Sequence, residues 1–194
     1  MTTLKIILAS TRPGSIGPAL GTWIAQTARR TDTFDRVEVL DLAQINLPFL
    51  DEPHHPRLGR YTKPHTFAWS DEISTADALV IVTPEYNSGF PAPLKNAIDF
   101  LHAEWKNKAL GVVSYGGGAG GGAGATRMLR PITDALGMVT TPTSVAIARA
   151  SAQVVDGEFV GSVADDTALA DMLAEIGEIE AALTASTSAL AMTA

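Results

Sequence analysis

Leu79-Val-Ile-Val-Thr-Pro-Glu-Tyr-Asn-Ser-Gly-Phe-Pro-Ala-Pro-Leu-Lys-Asn-Ala-Ile-Asp-Phe-Leu-His-Ala-Glu-Trp105 reads as a strand, a polar loop and a helix, in that order. The unbroken apolar run Leu79 to Val82 fits a strand covered on both faces. Thr83-Pro84 ends it, because proline donates no N–H and keeps its predecessor out of the helical region. Glu85 to Gly89 is polar and turn-prone. Pro91 and Pro93 fit only the first turn of a helix, and Leu94, Ala97, Ile98, Leu101 and Trp105 then recur on one helical face. The spacing predicts one helix over 91–105. A loop leaving the carboxyl end of a buried strand in an open α/β sheet is where ligands bind. Its backbone groups, together with the Asn87 amide, offer both donors and acceptors to a flat heterocycle.

Working outward, the chain repeats this unit. Lys5 to Ala9 forms a first buried strand, followed by Ser10-Thr-Arg-Pro-Gly-Ser-Ile-Gly17 and a helix with Leu20, Trp23 and Ile24 on its apolar face. Hydroxyls of Ser10 and Ser15, the Arg12 guanidinium and the free N–H groups of a helix start all favour phosphate. The loop has neither the Walker nor the Gly-x-Gly-x-x-Gly spacing, so a single terminal phosphate fits it better than a pyrophosphate. A plain polar turn is the competing reading. Arg36 to Leu42 is a second strand with partial alternation, nearer an edge. A long loop, 43–65, follows, with His54-His55 and Tyr61. Loops of that length are usually functional or disordered. The paired histidines lack a third ligand at metal-site spacing, so no metal is expected.

A helix over His65 to Ala76 leads to the third strand, Ala78 to Thr83, and Ala109 to Tyr115 is the fourth. Gly116-Gly-Gly-Ala-Gly-Gly-Gly-Ala-Gly124 comes next, before a helix through Ala125, Met128, Leu129, Ile132 and Leu136. Gly116, Gly118 and Gly121 match the dinucleotide pattern, but on the fourth strand and with no acidic residue at the next strand end. The preferred reading is a backbone surface against which a flat ring can lie. Val139 to Ile147 is a fifth strand interrupted by Pro142. Val154 to Phe159 suggests a hairpin, and a last helix runs through Leu169, Met172, Leu173, Ile176, Ile179 and Leu183. Residues 1–184 read as one domain and 185–194 as a small polar tail that frays.

The bulk numbers agree. The chain has 194 residues, 46% of them hydrophobic and 18% charged, which suits a globular domain and not a disordered chain. No apolar run approaches the roughly 20 residues that span a bilayer. A net charge of −7 without a basic cluster argues against nucleic acid. The absence of cysteine excludes disulfides, thiolate metal sites and cysteine nucleophiles, and fits a cytoplasmic protein.

Five strands alternating with amphipathic helices predict a parallel sheet covered on both faces. Strand order 2-1-3-4-5 brings Ser10–Gly17, Pro84–Asn87 and Ser114–Gly118 to one edge. The strings Pro84-Glu-Tyr-Asn87 and Leu94-Lys-Asn-Ala-Ile-Asp99, with Ala9–Gly14, Leu47–Pro53, Glu104-Trp105 and Val113–Gly117, resemble the NADPH-dependent FMN reductase family over residues 4 to about 150. That resemblance implies an α/β flavodoxin-like three-layer sandwich. It also implies an FMN-dependent enzyme that takes hydride from NADPH, or NADH, at the flavin N5 and passes electrons to a quinone, free flavin or other small acceptor. Ser10, Arg12, Ser15, Ile16 and Gly17 would hold the phosphate. Pro84, Glu85, Tyr86 and Asn87, with Ser114, Tyr115, Gly116, Gly117 and Gly118, would line the isoalloxazine. No side chain need act as acid or base, since the cofactor carries the chemistry. The resemblance also implies a homodimer, with the Pro84–Asn87 loop and helix 91–105 at its interface and the 43–65 region near the partner's flavin, and leaves pairing into tetramers open. Phe90, Phe100 and Trp105 are either apolar anchors of that interface or core residues. The glycine run is longer than the family's usual loop and carries no arginine before Arg127. Two rival readings are a flavodoxin-type electron carrier without turnover and a flavin-free dinucleotide dehydrogenase on the glycine run.

Overall fold

The computed structural model describes residues 1–192. β1 (Thr3–Leu8) is followed by α1 (Gly17–Arg29), β2 (Arg36–Asp41), the short α2 (Leu42–Ile45) and α3 (Pro64–Ser74). β3 (Ala78–Pro84), α4 (Ala92–Asp99), β4 (Ala109–Tyr115) and α5 (Ala123–Ala135) come next. β5 (Val139–Thr140), β6 (Val145–Ile147), a hairpin of β7 (Val154–Val155) with β8 (Glu158–Phe159), and α6 (Val163–Met192) complete it. The sheet is parallel in the order β2-β1-β3-β4-β5, with β6 also on β4. This is the expected flavodoxin-like order.

The pleat explains why the central strands read as continuous apolar runs. Leu4, Ile6, Leu8, Val80, Val82 and Val113 face one core with α1 and α6, while Ile7, Leu79, Ile81, Leu110 and Val112 face the other with α3 and α4. Lys5 breaks the run chemically but not structurally. Its side chain is 4% exposed, yet its ammonium lies 3.1 Å from Glu38 and 2.6 Å from Glu72 and donates to Thr75. A buried charge persists only when paired in this way.

Three expectations are corrected. The single fifth strand is two strands, β5 on Ala109–Leu110 and β6 on Val113–Tyr115, because Pro142 cannot donate to the ladder between them. The helix predicted over 91–105 stops at Asp99, and Ala103–Trp105 is a separate 3-10 turn. The break is filled by two indoles: Trp69 Nε1 donates to Ala97 O at 2.8 Å, and Trp105 Nε1 donates at 3.1 Å to Ile98 O, which also accepts from Leu101 N–H. Of the two readings left open for Phe100 and Trp105, the structure selects core, and Phe90 is half-exposed. The last helix continues through the 185–192 stretch, where a frayed tail was expected, and residues 193–194 lie outside the described residues.

The long loop is fixed in place. Asn96 of α4 donates to Pro48 O at 2.7 Å and accepts from Leu50 N–H at 3.0 Å. Glu52 accepts from the N–H groups of Thr62 and Lys63, and Tyr61 donates to Glu104 at 2.8 Å. His55 accepts from Arg57 N–H, and His65 pairs with Asp51. Among the described residues no cluster suits a metal ion, and no helix is long and apolar enough to cross a membrane.

Candidate functional site

The loop from β1 to α1 is built around hydroxyls. Gly14 takes φ +73°, which turns the chain back so that Ser15 N–H reaches Arg12 O at 3.1 Å. Ser15 Oγ accepts from Gly17 N–H at 3.1 Å and lies 3.1 Å from the Tyr115 hydroxyl. Ser10 Oγ lies 2.9 Å from the Tyr86 hydroxyl. The ends of β3 and β4 thus each send a tyrosine into the first loop. Burial pushes the Tyr115 phenol up, so it stays a neutral donor. α1 starts with no side-chain cap from Ile16, and Arg12 is exposed and, among the described residues, paired with no carboxylate. A helix start whose first N–H meets only a neutral hydroxyl, beside a guanidinium without a carboxylate partner among the described residues, has the chemistry that favours an anion.

After β3 the chain makes a two-residue turn. Tyr86 and Gly89 exchange both backbone hydrogen bonds, at 2.8 and 3.0 Å, around Asn87 (φ 50°) and Ser88 (φ 66°). Two successive left-handed residues define a type I′ turn, and glycine would normally take the second place. Asn87 stands exposed at its tip. Pro84 pairs with Tyr115 as the last rung of the ladder, and Glu85 N–H donates to Tyr115 O at 3.1 Å. The Glu85 carboxylate turns toward α5 and accepts from Gly124 N–H at 2.7 Å.

The glycine run divides into two parts. A side chain at Gly117, Gly118 or Gly120 would meet nothing within 4 Å. At Gly121 (φ +56°) a Cβ would fall 2.5 Å from Ala146 backbone, at Gly122 (φ +82°) 2.8 Å from Tyr115 backbone, and at Gly124 2.7 Å from Glu85 Oε2. Ser114 is buried and donates to Gly121 O at 2.9 Å, so its hydroxyl fastens the run and does not face the cleft. These contacts overturn the dinucleotide reading. The helix start that a pyrophosphate would use already holds the Glu85 carboxylate, and the later glycines are packed against strands.

A recess of about 150 Å³ lies among these loops, and its lining includes Arg12, Ser15, Ile16, Pro84, Glu85, Tyr86, Tyr115, Gly116 and Gly117 of the predicted residues. Ser10 and Gly17 join it through their bonds to Tyr86 and Ser15. Asn87, Ser114 and Gly118 are not on its wall. Tyr115, expected against a ring, has its hydroxyl against Ser15 in the first loop instead. Gly14, Ala150 and Ser151 line the recess and were missed. Arg149 (φ 50°) and Ala150 dock on the carbonyls of Gly118 and Gly116, which brings the loop after β6 to the same edge. The fifth strand's place in a 2-1-3-4-5 sheet was the available signal. A larger cavity of about 510 Å³ lies beyond Thr11, between α2, α4 and Leu47–Phe49. Size alone would favour it, but the converging hydroxyls, guanidinium and backbone donors are in the smaller one.

The family model for NADPH-dependent FMN reductase matches residues 2–152. The chain belongs to that family. It is 37% identical over 177 residues to an NAD(P)H-dependent FMN reductase of Schizosaccharomyces pombe, covering 90% of this chain and 87% of that one. It is 31% identical over 133 residues to a quinone reductase of Pseudomonas putida, covering 66% and 67%. The flavoenzyme NAD(P)H:(acceptor) oxidoreductase FerB of Paracoccus denitrificans has the same fold, with a TM-score of 0.71, 24% identity, and 93% and 98% of the two chains covered. The reductase's residues fit FMN at both ends. Arg12 and the start of α1, which meets only a neutral serine hydroxyl, suit one phosphate, and the unobstructed face of Gly117 leaves room for a planar ring.

Proposed function

We propose that this reductase uses FMN bound at the carboxyl edge of the sheet to carry electrons from NAD(P)H to a quinone or a free flavin. The observation that carries this is Arg12, without a carboxylate partner among the described residues, beside a start of α1 that meets only the neutral Ser15 hydroxyl, on the same edge as a glycine backbone wall. A bound FMN would supply the redox chemistry, linking hydride removal from the nicotinamide to reduction of the acceptor by two electrons and two protons, the second proton coming from solvent. Arg12, Ser10, Ser15, Ile16 and Gly17 anchor the phosphate, and Tyr115 and Tyr86 hold the two serine hydroxyls in position. Pro84 to Tyr86, Gly116 and Gly117 present backbone groups to the ring, where fixed N–H dipoles favour added negative charge. We assign no side chain an acid–base role.

The protein works as a cytoplasmic homodimer, with pairing into tetramers an open extension. Phe49 is 85% exposed at the rim of the 510 Å³ cavity, on a loop held down by Asn96 and Glu52. A large aromatic displayed on a rigid loop beside an apolar-lined cavity suits burial by a second copy.

An FMN titration followed by flavin fluorescence, then NADPH oxidation with a quinone, tests the activity. Yellow protein with acceptor-dependent NADPH consumption is expected. A protein that neither quenches FMN nor shifts its visible band would end the flavin reading. Light scattering of the wild type and Phe49→Glu tests the dimer, and a wild-type monomer would remove it.

A further inference from the structure

Glu85 sits inside a motif whose neighbours face the recess, but its side chain points elsewhere. Its carboxylate meets Gly124 N–H at 2.7 Å, in the first turn of α5. The N-cap of that helix, Gly122, offers no side chain, so Glu85 supplies the cap from 39 residues away. Meanwhile Glu85 N–H is bonded to Tyr115 O, at the root of the glycine run. One residue therefore ties the Pro84–Gly89 wall of the recess to both ends of the glycine wall. Gly124 has to be glycine for this contact, since a Cβ would stand 2.7 to 3.0 Å from all three carboxylate atoms. The open glycines Gly117, Gly118 and Gly120 are spanned between these fixed ends.

We propose that Glu85 is a positioning residue that clasps the two backbone walls of the flavin slot into one body, and that this clasp sets how tightly FMN is held. The proposal rests on the FMN reading of the slot. A charged acceptor on a helix-start N–H is among the stronger single hydrogen bonds, and its loss frees the glycine wall from the turn opposite. Order lost in the empty slot must be restored when ligand binds, which weakens binding.

FMN titrations of the wild type, Glu85→Ala, Glu85→Gln and Gly124→Ala test it, with amide hydrogen exchange over 118–125 in each FMN-free protein. Glu85→Ala is expected to raise the FMN Kd about tenfold or more, the size of one lost charged hydrogen bond. Glu85→Gln keeps a carbonyl acceptor and should stay within about threefold of wild type. Gly124→Ala displaces the carboxylate from the other side. As an alanine in a helix it favours the helix, so a purely structural role predicts equal or better FMN binding, whereas the clasp predicts weaker binding. Both Ala variants should exchange faster over 118–125 without ligand. Wild-type FMN affinity in Glu85→Ala, or unchanged exchange in both Ala variants, overturns the clasp. If the wild type binds no FMN the flavin reading fails by itself, and the exchange comparison still decides whether Glu85 orders the glycine wall.

Discussion

Two helices begin at the same edge of the sheet and are finished in opposite ways. α1 starts at Gly17 with no side-chain cap, Pro18 in its first turn, and Arg12 unpaired beside it. α5 starts behind Gly122 and is closed by the Glu85 carboxylate. Each helix start carries partial positive charge and unsatisfied N–H groups, so each must find an anion or an acceptor. The chain closes one with a carboxylate and gives the other only the neutral Ser15 hydroxyl. A helix start can therefore be read as a ligand site only after asking whether the protein already fills it. By that test only the α1 start lacks an anionic partner among the described residues.

The largest expected effect breaks the closed side. Gly121→Ala would place a Cβ 2.5 Å from Ala146 backbone at φ +56°. β6 cannot retreat without losing its pairing to β4, so the fold should lose about 3 kcal/mol or more, from backbone strain and overpacking together. Gly120→Ala, one residue earlier and in open space, should lie within about 0.5 kcal/mol of wild type. Thermal or urea unfolding of the pair decides whether the run is two parts or one uniform flexible loop, which would show two equal effects.

Next comes the open side. Arg12→Ala should weaken FMN by about 1–3 kcal/mol, the range for a hydrogen bond to a charged group. Riboflavin, which has no phosphate, should bind the variant and the wild type equally. An equal loss for both ligands would move Arg12 away from the phosphate.

A third helix start sharpens the contrast. Glu52 closes the approach to α3, accepting from Thr62 and Lys63. Burial alone would raise its pKa, but the Thr66 hydroxyl nearby and the donors of Lys63 and Thr62 hold it at about 2. A folded-state pKa below the ordinary value of 4.5 contributes stability that is present above that value and lost as pH falls toward about 2. Loop 53–60 should therefore become more sensitive to an acid-tolerant protease across that window, and Glu52→Gln should flatten the dependence. The effect is smaller than the preceding two because solvent screens a carboxylate near the surface.

How much of this could be read beforehand follows from the distances involved. β4 falls on the expected Ala109–Tyr115 because a strand buried on both faces leaves an apolar run with sharp ends. The three rim loops were legible because glycine, proline and hydroxyl residues concentrate after those strands. Ser114 and Tyr115 were assigned to the ring because they adjoin the glycines. Strand position does not reveal that Ser114 bonds Gly121 O while Tyr115 reaches back 100 residues to Ser15. Ala150 and Ser151 were hidden because Pro142 splits the strand before them and Arg149 turns the chain without a glycine. The 39-residue reach of Glu85 to Gly124 leaves no local trace at all.

The smallest effect concerns the turn that carries both Glu85 and Tyr86 into place. Ser88 occupies the second left-handed position of a type I′ turn at φ 66°, where a Cβ is unfavourable and Asn-Gly is the ordinary choice. Ser88→Gly removes strain of about 1 kcal/mol but gives the unfolded chain more freedom, which offsets part of it. The net gain in unfolding free energy should be about 0.5 kcal/mol. The same substitution makes the turn easier to open, and the turn is hinged to the closed helix start through Glu85. If the clasp holds the two walls together, stability should rise while FMN affinity stays as in wild type, because α5 and not Ser88 fixes the wall. A stabilised variant that releases FMN faster would instead show that the turn's own stiffness, and not its tie to α5, keeps the slot in shape.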